Sequence, residues 1–495
     1  MTLREVLDGA GVRTDLPKEP GQAPVDGLDY DSRRVGKNFL FFAFQGQQHD
    51  GRRFAGEAIG RGALAVVSEL PKPEGFAGAW IEVEHGRRAL AVAARNFYGK
   101  PDEHLRLTGI TGTNGKSTTT HLVDSVLRAA GKTTALLGTI EYLRAGRILP
   151  SQNTTPESLD ILRILAELNQ EGGTHATLEV SSHGLALGRV YGIHFHTAVF
   201  TNLTRDHLDF HPGMEEYFAA KRLLFEGAGA PPPRFAAINH DDPYGRQIRP
   251  APETKPFWYG LGSESSVRAE QISATLEGLR FELHYGRIRF QVSSPLLGRI
   301  NVYNILAACS AALSLEIDPE TIARGIFECP IVPGRLERVE EGQPFLVLVD
   351  YAHTDDALRN VIVAARSLSG QRVLTLFGCG GDRDRAKRPL MGEAAGELSD
   401  FVVLTSDNPR SEDPLVIMND ALVGLRRYDV PHIVEPDREK AIRLAIEAAR
   451  PGDIVIIAGK GHETYQALKD RTIPFDDRDV ARKALHSFGY GRAGE

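Results

Sequence analysis

Residues Leu105-Arg-Leu-Thr-Gly-Ile-Thr-Gly-Thr-Asn-Gly-Lys-Ser-Thr-Thr-Thr-His121 decide the fold. Leu105, Leu107 and Ile110 give the apolar alternation of a strand. Gly112, Thr113, Asn114 and Gly115 then make a tight loop, and a helix is expected to open at Lys116-Ser117-Thr118. Glycines let backbone N–H groups converge on anionic oxygens, and the helix N-terminus adds positive potential, so the geometry suits a polyphosphate. Lys116 would reach the β- and γ-phosphates and the Ser117 hydroxyl would hold Mg²⁺. Position 110 is Ile, so only the shorter form Gly112-x-x-Gly115-Lys116-Ser117 of the phosphate-loop pattern is met. A plain glycine-rich turn is the other reading, but Lys-Ser after the second glycine favours an ATP site.

Outward from that loop, 495 residues allow two to four domains, each with its own core. A net charge of −7 gives no electrostatic footprint for nucleic acid. Cys309, Cys329 and Cys379 are too far apart to suggest a disulfide framework or a zinc site. No signal peptide or membrane-length apolar run is visible, so a cytoplasmic enzyme without membrane insertion is expected.

Three α/β units are expected: a small one over residues 1–100, a central one over 101–332 and a third over 333–495. In the first, Asn38–Phe44, Ala63–Ser68 and Trp80–Val83 read as strands and Arg87–Tyr98 as a helix, stopped by Gly99-Lys100-Pro101. From Leu105 strands and helices alternate in the way that builds a mostly parallel sheet. Ala176–Val180 and Thr197–Thr201 are strands, Leu279–Ser293 a hairpin around Tyr285-Gly286, and Asn301–Leu315 an Ala-rich helix. Pro330-Ile-Val-Pro-Gly-Arg335 marks the next boundary. Strands at Phe345–Val349, Val373–Phe377, Phe401–Thr405 and Ile454–Ala458 follow, with a helix at Arg438–Ala449.

The candidate chemistry lies at strand ends, where open α/β sheets place ligands. Glu179 closes one strand; a lone Glu there is usually solvated, but this one would lie one or two strands from the phosphate loop, where an acidic Mg²⁺ ligand is needed. His207, in Thr201-Asn-Leu-Thr-Arg-Asp-His-Leu-Asp209, is either a metal ligand or a surface histidine; on the residues alone the surface reading is preferred. Lys221 falls between Tyr217, Phe218, Leu224 and Phe225 on a helical wheel. Snorkelling to the surface is the ordinary outcome; the alternative is an amine of depressed pKa that acts as a base or combines with CO₂. Asp350 either accepts from a ribose hydroxyl or caps the next helix. Gly378-Cys-Gly-Gly-Asp-Arg-Asp384 has Arg383 where a dinucleotide fold needs its third glycine, which rejects NAD. Arg383, Arg385, Lys387 and Arg388 read as a solvated basic face. Asp407-Asn408-Pro409-Arg410 reads as a turn, yet Arg410 and Arg383 together offer two guanidinium forks for a ligand with carboxylates.

Taken together, Thr-Gly-Thr-Asn-Gly-Lys-Ser-Thr118, Leu178-Glu-Val-Ser-Ser-His-Gly-Leu185, Asn202-Leu-Thr-Arg-Asp-His-Leu-Asp209 and Asn301-Val-Tyr-Asn-Ile-Leu-Ala-Ala308 resemble the Mur ligases of peptidoglycan synthesis. Pro333-Gly-Arg-Leu-Glu337, Asp350-Tyr-Ala-His-Thr354 and Gly459-Lys-Gly-His-Glu463 extend the resemblance, in the family's order, over residues 26–465. Asp407-Asn-Pro-Arg410 is similar to the motif of the branch that adds meso-diaminopimelate to UDP-N-acetylmuramoyl-L-alanyl-D-glutamate; a lysine-adding or folylpolyglutamate-synthetase-like ligase is the alternative.

The resemblance implies a P-loop ATPase-like central domain, a Rossmann-like C-terminal domain and a small N-terminal one, working as a monomer with ATP and Mg²⁺. Gly112 to Thr118, with Asn301, Asn304, Arg335 and Asp350, would hold the nucleotide. Ser117, Glu179, His207 and Lys221 would bind Mg²⁺, Lys221 as a carbamate. Tyr30, Ser32, Gln47, Gln48 and His49 would grip UDP, and Asn153, Thr154, Thr155, Ser181 and Arg189 the muramoyl-dipeptide. Arg383, Asp407, Asn408, Pro409, Arg410, Gly459 and Glu463 would receive diaminopimelate. Three positions depart from the family's usual residues: Ser117 for Thr, Asp355 for Pro, and Leu187 where Gln can stand.

Overall fold

Three large sheets follow one another along the chain in the computed structural model, which describes residues 1–16, 21–46, 50–151, 153–368 and 371–491, and a two-stranded ribbon of Tyr465–Ala467 and Thr472–Pro474 lies near its end. The first has four parallel strands in sequence order, Gly27–Asp29, Phe39–Phe42, Ala65–Ser68 and Trp80–Glu82. Leu40, Phe41 and Phe42 are all buried, as a continuous apolar run demands when both faces of a parallel sheet are covered. The expected helix spans Gly86–Phe97 and buries its alanines. Gly27–Asp29, three residues long, carries too little pattern to be read from sequence.

Eleven strands form the central sheet. At its heart Arg106–Thr111 lies between His175–Glu179 and Thr197–Phe200, all parallel, with Ile110 beside Glu179 and Thr111 beside Phe200. That register brings the loop after Thr111, the carboxylate of Glu179 and the Thr201-Asn202 loop to one edge. Helices Lys116–Ala129 and Ile300–Ser314 pack together over these strands. The expected hairpin pairs Gly278–Tyr285 with Ile288–Ser294 around Gly286. A strand the sequence reading did not include, Val267–Thr275, joins that hairpin to the parallel part of the sheet. Its far half alternates part-buried and exposed residues, which hides it among polar loops.

The third sheet has six strands, in the order Glu337–Arg338, Leu346–Asp350, Ile454–Ala458, Val373–Cys379, Phe401–Ser406 and His432–Glu435, parallel except for the first pair. All four expected strands are there. Asp350 lies beside Ala458 and Cys379 beside Ser406, so their following loops meet at one crevice. Beneath it Arg438 is fully buried, paired with Asp477 at 2.7 and 2.8 Å and donating to the carbonyls of Ser406 and Ala458 at strand ends. Asp477→Ala leaves that guanidinium charged and unpaired. We expect a loss of about 3–5 kcal/mol, the range for breaking a buried ion pair from one side, read from the urea midpoint. Among the described residues no helix is long and apolar enough to cross a membrane.

Candidate active site

The nucleotide loop has the shape its glycines require. Gly112 (φ +147°) and Gly115 (φ +85°) hold conformations that side chains rarely adopt, and added Cβ atoms would collide with Thr201 Oγ1 and Asn304 Oδ1. The next strand's loop braces it: Thr113 N donates to Asn202 O at 2.9 Å and Asn114 N to Asn202 Oδ1 at 2.9 Å. Helix Lys116–Ala129 starts directly afterwards, with its first N–H groups free of intrahelical partners. The Lys116 ammonium donates to the carbonyls of Gly112 and Thr113 at 3.1 and 3.0 Å, and burial pulls its pKa down.

A cavity of about 210 Å³ opens over this loop, lined by residues 113–118 together with Asn301, Asn304, Arg335 and Asp350. Every residue assigned to the nucleotide, save Gly112 beneath the loop, faces one space. Arg335 donates to Ser117 Oγ at 3.1 Å and lies over the Tyr351 ring. Asn114 donates to Asp356 at 2.9 Å, which ties the loop to the helix Asp355–Leu368. Asp355, the departure from the family's Pro, thus opens a regular helix. Asp350 accepts from Leu336 N and Ala352 N at 2.7 and 2.8 Å. It therefore does not cap the helix that follows; Thr354 does, accepting from Ala357 N.

Ser117, Glu179 and His207 line the same cavity. Glu179 accepts from Thr139 N at 2.8 Å and Thr139 Oγ1 at 3.0 Å, which fixes its carboxylate. His207 has φ +54° and stands 3.3 Å from Asp206, and burial lowers its pKa, which favours the neutral imidazole that ligates a metal. His207 is 38% exposed in its side chain, but the surface it reaches is the cavity wall. A hydroxyl, a carboxylate and a neutral imidazole around a phosphate loop fit a hard dication. Among the described residues no group of three or more His, Cys, Asp or Glu could hold a metal alone, so such an ion would draw further ligands from phosphate oxygens and water.

Lys221 does not snorkel. It is 1% exposed, behind the loop rather than in the cavity lining; its ammonium donates to Gly112 O at 2.7 Å and sits 4.6 Å from the Tyr217 ring centroid. Burial, and then the charge of Lys116, push its pKa well down, which is the state in which an amine reacts with CO₂.

A second cavity, about 170 Å³, is lined by Arg383, Asp407, Asn408, Arg410, Gly459 and Glu463. Pro409 shapes the turn without lining it. Arg410 (φ +52°) donates through its guanidinium to Gly381 O at 2.7 Å. Asn408 donates to Glu463 at 2.7 Å. Lys460, fully buried, donates to Glu463 at 3.0 Å and Asn408 Oδ1 at 3.2 Å. The sequence reading quoted that lysine and gave it no role. The basic run is a solvated face only in part: Arg383 and Arg385 are exposed, whereas Arg388 is fully buried against Glu412 and Asp420 and Lys387 is buried, and Arg383 and Lys387 line the cavity. Asp206, His207, Tyr351 and His353 line both cavities, so one wall separates them. Asp206, Tyr351 and His353 fall within quoted motifs, in loops just past strand ends, but the sequence reading gave them no role.

A third cavity of about 340 Å³ includes Tyr30, Asn153, Glu157 and Asp160. Tyr30 OH donates to Asp160 at 2.5 Å. Ser32 instead turns to Glu57 at 2.8 Å, outside that lining. Gln47, Gln48 and His49 lie outside the described residues. From Glu157 a polar chain runs to the nucleotide cavity. Arg189 bridges Glu157 and Thr155 O at 3.0 and 2.9 Å. Thr155 meets Ser181 at 3.0 Å, and Thr154 meets Thr139 at 2.9 Å. Leu187 only ends the short helix Ser182–Ala186.

Family models match along the chain: Mur ligase family, catalytic domain, at residues 24–98; Mur ligase middle domain at 110–312; and Mur ligase, glutamate ligase domain, at 334–461. The UDP-N-acetylmuramoyl-L-alanyl-D-glutamate--2,6-diaminopimelate ligase of Solibacter usitatus is 65% identical, over 99% of each chain. A solved structure of a ligase of that same name is 34% identical, covers 99% of both chains and superposes with a TM-score of 0.69. The MurF ligase of Thermotoga maritima, solved in complex with ADP, shares the fold at 18% identity and a TM-score of 0.64, over 93% of this chain and 96% of its own. Relatedness of this extent, end to end, leaves one placement: the chain belongs to the Mur ligase family.

Proposed function

We propose that this protein joins meso-diaminopimelate to the D-glutamate γ-carboxylate of UDP-N-acetylmuramoyl-L-alanyl-D-glutamate, converting ATP to ADP and phosphate. The observation that carries the proposal is the wall shared by the nucleotide cavity and the Arg383–Arg410 cavity. A carboxylate does not acylate an amine, because oxide would have to leave. Transfer of the ATP γ-phosphoryl group to the γ-carboxylate gives an acyl phosphate; the amine then adds to its carbonyl, loses a proton and expels phosphate. Both partners must meet at one point, and that wall is where they would.

In this reading residues 101–332 hold ATP, residues 1–100 hold UDP through Tyr30, and residues 333–495 hold the amino acid. Lys116 and the N–H groups of residues 116–118 receive phosphate oxygens. Ser117, Glu179 and His207 would hold Mg²⁺, which when bound supplies charge neutralisation to the phosphates. Thr154, Thr155, Ser181 and Arg189 position the dipeptide, and Asp350 and the Asn301–Asn304 pair the nucleoside. Arg383 and Arg410 receive carboxylate while Asp407 and Glu463 answer ammonium. Closure of the three units over the substrates would exclude water that otherwise hydrolyses the acyl phosphate. The protein acts as a cytoplasmic monomer, where UDP-linked precursor and ATP are both at hand.

A neutral Lys221 would take up CO₂ to become a carbamate, changing a cation into an anion behind the loop. Lys221→Ala should then lower turnover by about 10²-fold or more, the scale for losing a placed electrostatic group, with partial recovery in added formate or acetate. Full activity in the variant would remove Lys221 from the mechanism. The whole proposal is checked by incubating the protein with the UDP-linked dipeptide, ATP and either diaminopimelate or lysine. Phosphate release and a tripeptide product are expected with diaminopimelate; their absence would end the assignment.

A further inference from the structure

Helix Lys387–Leu398 begins with a buried lysine that has no ion-pair partner among the described residues. Lys387 is 7% exposed and lines the amino-acid cavity. Among the described residues, no carboxylate lies within ion-pair distance of its ammonium. The buried carboxylates around it are committed elsewhere: Asp384 to Arg205 at 3.3 Å, Asp206 to His207 at 3.3 Å, and Asp407 and Glu463 to Lys460 at 3.7 and 3.0 Å. Its neighbours in sequence differ, since Arg385 and Arg388 both pair with Asp420. A helix N-terminus is itself positive, so the position adds repulsion to the cost of burial. An ammonium held this way is waiting for an anion.

Its place in the cavity narrows which one. Asp384, three residues before Lys387, pairs with Arg205 at 3.3 Å, and Lys387 lines the amino-acid cavity together with Asp206, His207 and His353, residues of the wall shared with the nucleotide cavity. The cation is therefore at the reacting end. Diaminopimelate carries a carboxylate beside each of its two amines, so two anions must be received when it binds. We propose that Lys387 receives the carboxylate adjacent to the attacking amine, leaving the guanidinium forks of Arg383 and Arg410 to the distal one. The inference rests on the reading of this cavity as the diaminopimelate site. It assigns one cation to the part of the ligand that every α-amino acid shares, and two others to the part that lysine lacks.

The test uses Lys387→Gln and Lys387→Met, with Lys387→Arg as the conservative variant, in phosphate-release assays with the full substrate set. Loss of one charge-assisted contact should raise KM for diaminopimelate about 10- to 100-fold. KM for ATP and for the UDP-linked dipeptide should stay within about threefold and Lys387→Arg should recover most of the loss. The preference for diaminopimelate over lysine should not change, because both carry the carboxylate in question. An unchanged KM for diaminopimelate in folded Lys387→Gln would overturn the inference, as would a fall in kcat alone, which would place the ammonium on the transferred phosphoryl group. Collapse of the preference would overturn it too, by placing Lys387 at the distal end. Failure of the wild-type protein to release phosphate with diaminopimelate would instead be failure of the proposed function.

Discussion

Lys116→Ala is expected to lower amino-acid-dependent phosphate release by about 10³-fold, within the range for removing a positive group aimed at a transferring phosphoryl. The Lys116 ammonium now rests on the carbonyls of Gly112 and Thr113, at the floor of the nucleotide cavity. Phosphate oxygens would take it from those carbonyls, and no neighbour can stand in. Lys221 is committed to Gly112 O behind the loop, and Arg335 to Ser117. The loop's shape should survive, since Gly112, Gly115 and the Asn202 braces fix it without the lysine. ATP binding should thus weaken far less than turnover falls, which equilibrium binding set beside the rate would show. Turnover near the wild-type rate would remove the phosphate loop from the chemistry.

Arg410→Ala carries the second large effect, on choice of amino acid rather than on rate alone. A site built around a polar group of its substrate can reject an analogue lacking that group by about 10⁴–10⁵. Removing a fork that reads the distal carboxylate should lower the ratio of kcat/KM for diaminopimelate over lysine by about 10²–10³, nearly all through diaminopimelate. The backbone there has its own anchors: Arg410 N donates to Ala467 O at 3.0 Å, and Asn408 is held by Glu463 and Lys460. The turn should therefore persist without the side chain. Arg410→Lys should not restore the preference, because a point charge does not reproduce a two-pronged donor. A preference left intact by Arg410→Ala would mean that another group reads the distal carboxylate.

Strand ends were the legible part of this chain, because a buried parallel strand is a continuous apolar run and its last polar residue marks the ligand edge. Glu179, Asp350 and Asp407 were found that way, and the register of their strands brings each to a cavity. Side chains within helices were harder. The pattern around Lys221 has the same appearance whether its amine reaches water or the Gly112 carbonyl; only the loop packed on that helix decides. The run Arg383 to Arg388 looked solvated because charge density in sequence says nothing of direction. In the fold Asp420 and Glu412, from elsewhere in the chain, draw Arg388 fully inside. Asp206 and His353, 147 residues apart in sequence, have no local signature of sharing a wall.

The most direct test of the account follows an oxygen atom. If the γ-carboxylate of the dipeptide is activated by phosphorylation and then attacked at the shared wall, one of its oxygens must leave with the phosphate. With that carboxylate labelled by a heavy oxygen isotope and diaminopimelate supplied, the released phosphate should carry the label in every turnover. Product formed with unlabelled phosphate would contradict the account.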